Sequence, residues 1–125
     1  MQDDNVILVI DDEEAVREAV TDILDLEGWP VLTAESGEVG IDLYRTHQAE
    51  VALVILDLSM PGLSGQETLV QLQAVNPEVK VLLSSGYSEV EVSGRFARLG
   101  VAGFLQKPYN ALRLIKTVQQ HLTKD

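Results

Sequence analysis

The stretch from Val51 to Gly65 reads VALVILDLSMPGLSG and decides how the chain folds. Six apolar residues run directly into Asp57, and a turn follows through Ser59, Met60, Pro61 and Gly62. A short continuous apolar run that ends in turn residues is typical of a strand buried on both faces, as in a parallel sheet. An acid at the end of such a strand lies at the carboxyl edge of the sheet, where open α/β folds bind ligands. The stretch therefore predicts a buried strand that holds Asp57 at a functional edge.

The rest of the chain alternates short apolar strands with amphipathic helices. Besides the strand that ends at Asp57, strands are predicted at 5–11, 30–34, 79–84 and 101–106. Apolar residues at helical spacing predict a helix after each strand, with the fourth at 88–99 and the fifth after Asn110. This βα order, repeated five times, predicts an α/β fold with a doubly wound parallel sheet and right-handed crossovers. We expect a single domain over residues 1–125.

The composition excludes several classes of function. The chain has no cysteine, so disulfides, thiolate metal sites and a cysteine nucleophile are ruled out. No apolar run approaches the roughly 18 residues needed to cross a bilayer, and the N-terminus lacks the basic region of a secretory signal. We therefore expect a cytoplasmic protein that does not bind membranes. A net charge of −11 argues against direct binding of nucleic acid, which depends on cations that meet phosphates.

The acidic residues are distributed unevenly. Residues 1–62 carry fifteen acids and two bases, whereas residues 63–125 carry five acids and seven bases. A solvated acidic face would explain this bias, and so would a set of acids that converges on a cation.

Polar residues follow four of the predicted strands at the point where each strand ends. They are Asp11 and Asp12, Asp57, Ser84 or Ser85, and Lys107. Each alone has an ordinary explanation as a cap, turn or solvated residue, but the carboxyl ends of parallel strands meet at one edge. Close carboxylates repel one another unless a cation intervenes, and oxygen ligands of this kind suit Mg²⁺. Nucleophilic carboxylate, lysine, hydroxyl and metal together suit phosphoryl transfer, which needs positioning and charge neutralisation.

Taken together, these residues resemble the receiver domain of two-component response regulators over roughly 5–123. The matching motifs are VIDDE (Asp11, Asp12), LDLSMPGLSG (Asp57), LLSSGYS, and GFLQKPY (Phe104, Lys107, Pro108). The resemblance implies a flavodoxin-like (βα)5 receiver fold with strand order 2-1-3-4-5. It also implies a phosphorelay in which Asp57 accepts a phosphoryl group from a phosphohistidine. The donor would be a histidine kinase or a histidine phosphotransfer domain.

The resemblance implies a magnesium site at the acceptor. By alignment, Asp12 and Asp57 would ligate Mg²⁺ directly, with the backbone carbonyl of Ser59 as a third protein ligand. Asp11 would act through a water molecule. Mn²⁺ is the alternative ion.

The resemblance also assigns the residues that respond to phosphorylation. Lys107 would pair with the acceptor and then with the phosphoryl oxygens, and its bond to Pro108 is expected to be cis. Ser85 takes the position of the switch hydroxyl, with Ser84 the less favoured choice. Phe104 takes the position of the switch aromatic, and a plain core residue is the alternative for it.

The second half of the chain carries the only concentration of bases, on the predicted fourth and fifth helices. They are Arg95, Arg98, Arg113 and Lys116. Ordinary solvated helix surface would explain them. The alternative is that the face formed by the fourth helix, fifth strand and fifth helix switches on phosphorylation and meets an acidic partner or a second copy of the chain.

The runs LLSSGYSE and GFLQKPY resemble receivers attached to hybrid histidine kinases more than stand-alone ones. The chain ends soon after its last predicted helix, so we expect no DNA-binding or enzymatic output domain in it. It is either a single-domain regulator or a segment of a larger protein. As an isolated domain we expect no enzyme activity beyond its own phosphorylation and dephosphorylation.

Three other functions compete with a phosphoacceptor. A phosphatase of the haloacid-dehalogenase type also uses an aspartyl nucleophile, but it needs a second acid two residues later, where this chain has Ser59. A flavodoxin-type FMN protein needs a phosphate loop after the first strand, where this chain has the acids of 11–14. A receiver-shaped interaction module without phosphorylation is the third alternative.

Overall fold

The computed structural model describes residues 5–58, 65–86 and 100–122. The strands within these ranges are β1 (Val6–Ile10), β2 (Val31–Ala34), β3 (Val51–Asp57), β4 (Val81–Ser85) and β5 (Gly103–Gln106). The helices within them are α1 (Glu14–Leu26), α2 (Gly37–His47), α3 (Gly65–Val75) and α4 (Ala111–Leu122). All five strands are parallel and form one sheet in the order β2-β1-β3-β4-β5. The predicted α/β class and strand order are confirmed; the helix predicted at 88–99 lies outside the described residues.

Helices cover both faces of the sheet, which explains why the strands are continuously apolar. On the α2/α3 face, the helices contribute buried residues to one core: Ile41, Tyr44, Leu69 and Leu72. On the α1/α4 face, they contribute to a second core: Val20, Leu24, Leu114 and Val118. Successive strand residues alternate between these faces, so Leu56 of β3 belongs to the first core and Ile55 to the second. None of the helices in the described ranges combines the length and apolar character needed to cross a lipid bilayer.

Four of the five strands begin later than predicted: β1 at Val6, β2 at Val31, β4 at Val81 and β5 at Gly103. For β2 and β4 the reason lies in the backbone. β2 begins at Val31 because Pro30 has no N–H for the ladder, although its carbonyl still accepts a hydrogen bond from Ile7 at 2.9 Å. β4 begins at Val81, since the N–H of Val79 is committed to the carbonyl of Asn76 at 3.0 Å. β4 also runs one residue further than predicted, to Ser85, so both serines belong to the strand.

The end of α4 is tied to the start of β5 and to the residue before β4. The ring of His121 lies so close to Gly103 that a Cβ there would come within 3.0 Å of Nε2. The same Nε2 lies 3.0 Å from the carbonyl oxygen of Ala102, and Lys80 Nζ donates to the His121 carbonyl at 2.9 Å. These contacts hold β5 in place and, with it, the residues that follow its carboxyl end.

We predict that Leu56→Ala, next to Asp57, lowers the free energy of unfolding by about 2–5 kcal/mol. Leu56 is 0% exposed, so its truncation leaves a cavity between β3 and the α2/α3 helices. Leu112→Ala on α4 is the matched control, because Leu112 is 67% exposed and should cost less than about 0.5 kcal/mol. Urea titration measures both values. Equal losses would contradict the assignment of the core.

Candidate functional site

The carboxyl ends of β1 and β3 place two buried acids side by side. Asp11 follows β1 and Asp57 ends β3, and each is 2% exposed. The register pairs Ile10 with Leu56, so the two acids that follow are level on neighbouring strands. Asp12 adds an exposed carboxylate, and one ligand oxygen from each of the three acids lies within 4.8 Å of the others. The sheet itself therefore brings three carboxylates together.

Backbone groups hold Asp11 in a fixed orientation. Its own N–H donates to the Ala34 carbonyl at 3.0 Å, which extends the ladder between β1 and β2. Its Oδ1 accepts the N–H of Glu13 at 2.9 Å, and its carbonyl accepts from Arg17 Nη1 at 2.8 Å. Because Oδ1 accepts the N–H of Glu13, the other carboxylate oxygen, Oδ2, remains to contact the rest of the site.

Lys107 reaches the same acids from the far end of the chain. Its Nζ lies 3.2 Å from Asp11 Oδ2 and 3.5 Å from Asp57 Oδ1. A third, looser contact at 3.6 Å joins Nζ to the exposed Glu13 carboxylate. Partial burial lowers the pKa of the ammonium, but the neighbouring carboxylates, Asp57 before Asp11, outweigh it and hold the pKa above its usual value. Lys107 is therefore charged at neutral pH and balances part of the negative charge.

The backbone also positions Lys107. Its N–H donates to the carbonyl of Ser85 at 2.7 Å, which ties the residue after β5 to the last residue of β4. The peptide bond between Lys107 and Pro108 is cis.

The two serines at the end of β4 face opposite sides of the sheet. Ser84 is the register partner of Asp57 and of Leu105, which belongs to the α1/α4 core, and it is buried. Ser85 is also buried, and by strand alternation it lies on the other side, together with the partly buried Phe104 of the α2/α3 core. The hydroxyl and the aromatic that the resemblance assigns to a switch therefore share one face.

The donor set fits a hard divalent cation. Three carboxylates offer oxygen ligands within 4.8 Å of one another, and oxygen-only sites of this kind suit Mg²⁺ better than softer metals. Ser59, assigned as the backbone ligand, lies outside the described residues, as do Arg95 and Arg98.

The chain matches the family model of the response regulator receiver domain over residues 7–119. It belongs to that family. It is similar to the response regulator protein FleR of Pseudomonas aeruginosa, with 32% identity over 92% of this chain and 24% of that protein. It is also similar to the sensor kinase CckA of Brucella abortus, with 31% identity over 94% of this chain and 12% of that protein. The chain thus spans less than a third of the length of these two curated relatives.

A solved structure supports the same assignment. The receiver domain of NtrX from Brucella abortus is 33% identical, with a TM-score of 0.83 over 93% of this chain and 97% of that one. Similarity over nearly the whole of both chains confirms the receiver fold expected from the motifs.

In this receiver domain, α3 begins in direct contact with the end of β3. A Cβ on Gly65 would lie 2.6 Å from the Cα of Leu58 and 3.1 Å from the carbonyl oxygen of Asp57. Real Cβ atoms do not approach a backbone atom at the shorter distance, so glycine is what permits this approach.

Two contacts of the receiver site went unnoticed in the sequence. In the sequence Glu13 is only one of the acids that follow the first strand, but in the structure its carboxylate also contacts Lys107. Tyr109 was quoted only as part of a motif, yet it packs on the α1/α4 core near Ser84. Burial raises the pKa of the Tyr109 phenol, and the hydroxyl of Ser84 opposes this rise. No regular spacing predicts this position of Tyr109, because the residue lies beyond the end of β5.

We predict that Asp57→Asn stabilises the receiver domain in EDTA by about 1 kcal/mol, because it removes one of several crowded negative charges. Lys107 retains its ion pair with Asp11 in this variant. Added Mg²⁺ should reduce this difference in stability, since the ion binds the carboxylates of the wild type and stabilises it. Asp42→Asn is the control; its contact with Arg45 at 3.6 Å is exposed, so its effect should be small. Thermal melts measure all three proteins. A less stable Asp57→Asn would argue against a crowded site.

A second prediction concerns alkaline pH and Lys107→Met. A lysine whose pKa is raised by folding contributes stability that is fully present below the unfolded-state pKa and is lost as pH rises through the folded-state pKa. The wild type should therefore exceed Lys107→Met in melting temperature by a constant margin up to about pH 10.4, and the margin should shrink above it. Melting curves from pH 7 to 11 test this. A margin that grows with pH would refute it.

Proposed function

We propose that this receiver domain accepts a phosphoryl group on Asp57 from the phosphohistidine of a histidine kinase or a histidine phosphotransfer domain. One observation carries the proposal: a buried acceptor carboxylate lies 3.5 Å from a lysine ammonium and within 4.8 Å of two further acids. Charge and positioning are the two requirements of phosphoryl transfer, and this edge of the sheet provides both.

The proposed transfer needs only the phosphohistidine and Asp57 as phosphoryl donor and acceptor. A carboxylate oxygen of Asp57 forms a bond to phosphorus as the phosphorus–nitrogen bond of the phosphohistidine breaks. The donor imidazole leaves with the electron pair of that bond and takes up a proton, and Asp57 becomes an acyl phosphate. Lys107 neutralises charge on the transferred group, because its Nζ already lies beside the acceptor carboxylate.

In this proposal Asp12 and Asp57 would hold Mg²⁺ directly, Asp11 would act through a water molecule, and the Ser59 carbonyl would be a third protein ligand. The bound ion supplies positive charge that neutralises the phosphoryl oxygens. Mn²⁺ suits the same oxygen ligands and is expected to substitute.

The response to phosphorylation is proposed to run through Ser85 and Phe104. Ser85 is one residue beyond Ser84, the register partner of Asp57. In this proposal the Ser85 side chain moves toward the phosphoryl group, and its hydroxyl donates a hydrogen bond to that group. Phe104 is only partly buried on the same face, so it can move further inward. The readout surface includes β5 and α4, where Arg113 and Lys116 are exposed. We propose that this surface meets an acidic partner or a second copy of the chain.

The protein that contains this receiver is proposed to act in a phosphorelay. The similarity to a sensor kinase supports a place in a hybrid histidine kinase, and the similarity to FleR supports a response regulator. An interaction module without phosphorylation is disfavoured, because burying Asp11 and Asp57 together costs stability that binding alone does not require.

Incubation with acetyl phosphate and Mg²⁺ tests the proposal, with intact-mass measurement as the readout. We expect one acid-labile phosphoryl group on the wild type and on the control Asp42→Asn, and none on Asp57→Asn. EDTA should prevent labelling. Equal labelling of Asp57→Asn would overturn the assignment of the acceptor, and an unlabelled wild type would favour an interaction module.

A further inference from the structure

Ser84 presents a polar atom that the proposed transfer does not use. Its side chain is 1% exposed, and Oγ makes no well-formed hydrogen bond within the described part of the chain. Leaving a buried hydroxyl without a partner costs about 1–3 kcal/mol, and native proteins rarely do so. Ser84 is also the register partner of Asp57, so this hydroxyl lies beside the acceptor.

Tyr109 offers the matching group. It packs against the α1/α4 core, the same side of the sheet to which Ser84 points. With Lys107 and Asn110 it also lines a cavity of about 330 Å³, which is large enough to hold water. The Ser84 hydroxyl also opposes the burial-driven rise in the pKa of the Tyr109 phenol.

We propose that Ser84 and Tyr109 position Lys107 for phosphoryl transfer by sharing a hydrogen bond, direct or through one buried water. The inference rests on the proposed function, because its effect is on the transfer to Asp57. Neither hydroxyl touches the reacting atoms. Both are positioning residues.

The geometry explains how this pair would act on Lys107. The N–H of Lys107 is tied to the Ser85 carbonyl at 2.7 Å, which anchors the segment on one side. A hydrogen bond between Tyr109 and Ser84 would anchor the same segment a second time, two residues after Lys107. Both anchors lie on the last two residues of β4, next to Asp57. Two fixed points on either side of Lys107 restrict the positions that its ammonium can adopt, and small displacements of charged groups are costly in transfer reactions.

The experiment measures the phosphorylation rate constant at saturating acetyl phosphate over a range of Mg²⁺ concentrations. Ser84→Ala and Tyr109→Phe should each slow the reaction about two- to tenfold, the range expected for loss of one hydrogen bond. The double variant should be no slower than the slower single variant, because either change breaks the same bond. The Mg²⁺ concentration that gives half the maximal rate should not change, because neither residue is a metal ligand.

Tyr44→Phe is the matched control. It removes the same phenol oxygen from the α2/α3 core, where Tyr44 accepts a hydrogen bond from Asn76 at 2.9 Å. It should leave the rate at the wild-type value, even where it lowers the melting temperature.

The outcomes separate the inference from the proposed function. A wild-type chain that is not labelled at Asp57 overturns the proposed function and the inference with it. Normal wild-type labelling with unchanged rates in both variants overturns the inference alone. Rate losses that multiply in the double variant, or that appear as a shift in Mg²⁺ dependence, overturn it as well. An equal slowing by Tyr44→Phe would mean that general loosening, and not positioning, causes the effect.

Discussion

The attraction between Lys107 and the buried carboxylates of Asp11 and Asp57 is the interaction on which the rest of the arrangement depends. The ladder between β1 and β3 forces the two acids to be level, whatever their charge. At an effective dielectric constant near 20, two like charges about 5 Å apart repel by about 3 kcal/mol. The ammonium, 3.2 and 3.5 Å from these acids, offsets that repulsion. It does so incompletely, because Asp12 and Glu13 add further negative charge to this edge of the sheet.

The sheet separates the residues of the proposed transfer from those of the proposed switch. Asp57, Ser84 and Tyr109 belong to the α1/α4 side, whereas Ser85 and Phe104 belong to the α2/α3 side. The two sides meet in β4, where consecutive serines point in opposite directions. The close approach of Gly65 to Leu58 also ties the end of β3 to α3.

Much of the fold could be predicted because its determinants are local in the sequence. Continuous apolar runs identify strands covered on both faces, and their polar ends identify one edge, so the convergence of Asp57 and Lys107 followed from topology. Strand starts were less accurate at Pro30 and Val79, because they depend on where single backbone N–H groups bond. The contacts of Glu13 and Tyr109 were missed because they depend on side-chain packing between elements far apart in the chain. No periodicity encodes such contacts.

The order of the site residues along the chain has a consequence for how the domain is made. Both buried acids and the strands that carry them lie in the first half of the sequence, and the compensating lysine lies near the end. Ribosomes release the N-terminal half first, so the emerging chain contains the repelling charges before their counter-charge has been synthesised. Docking of β5 is then the event that relieves the repulsion. Electrostatics thereby makes the closing of this sheet cooperative, and it penalises any truncated product that lacks its last strand.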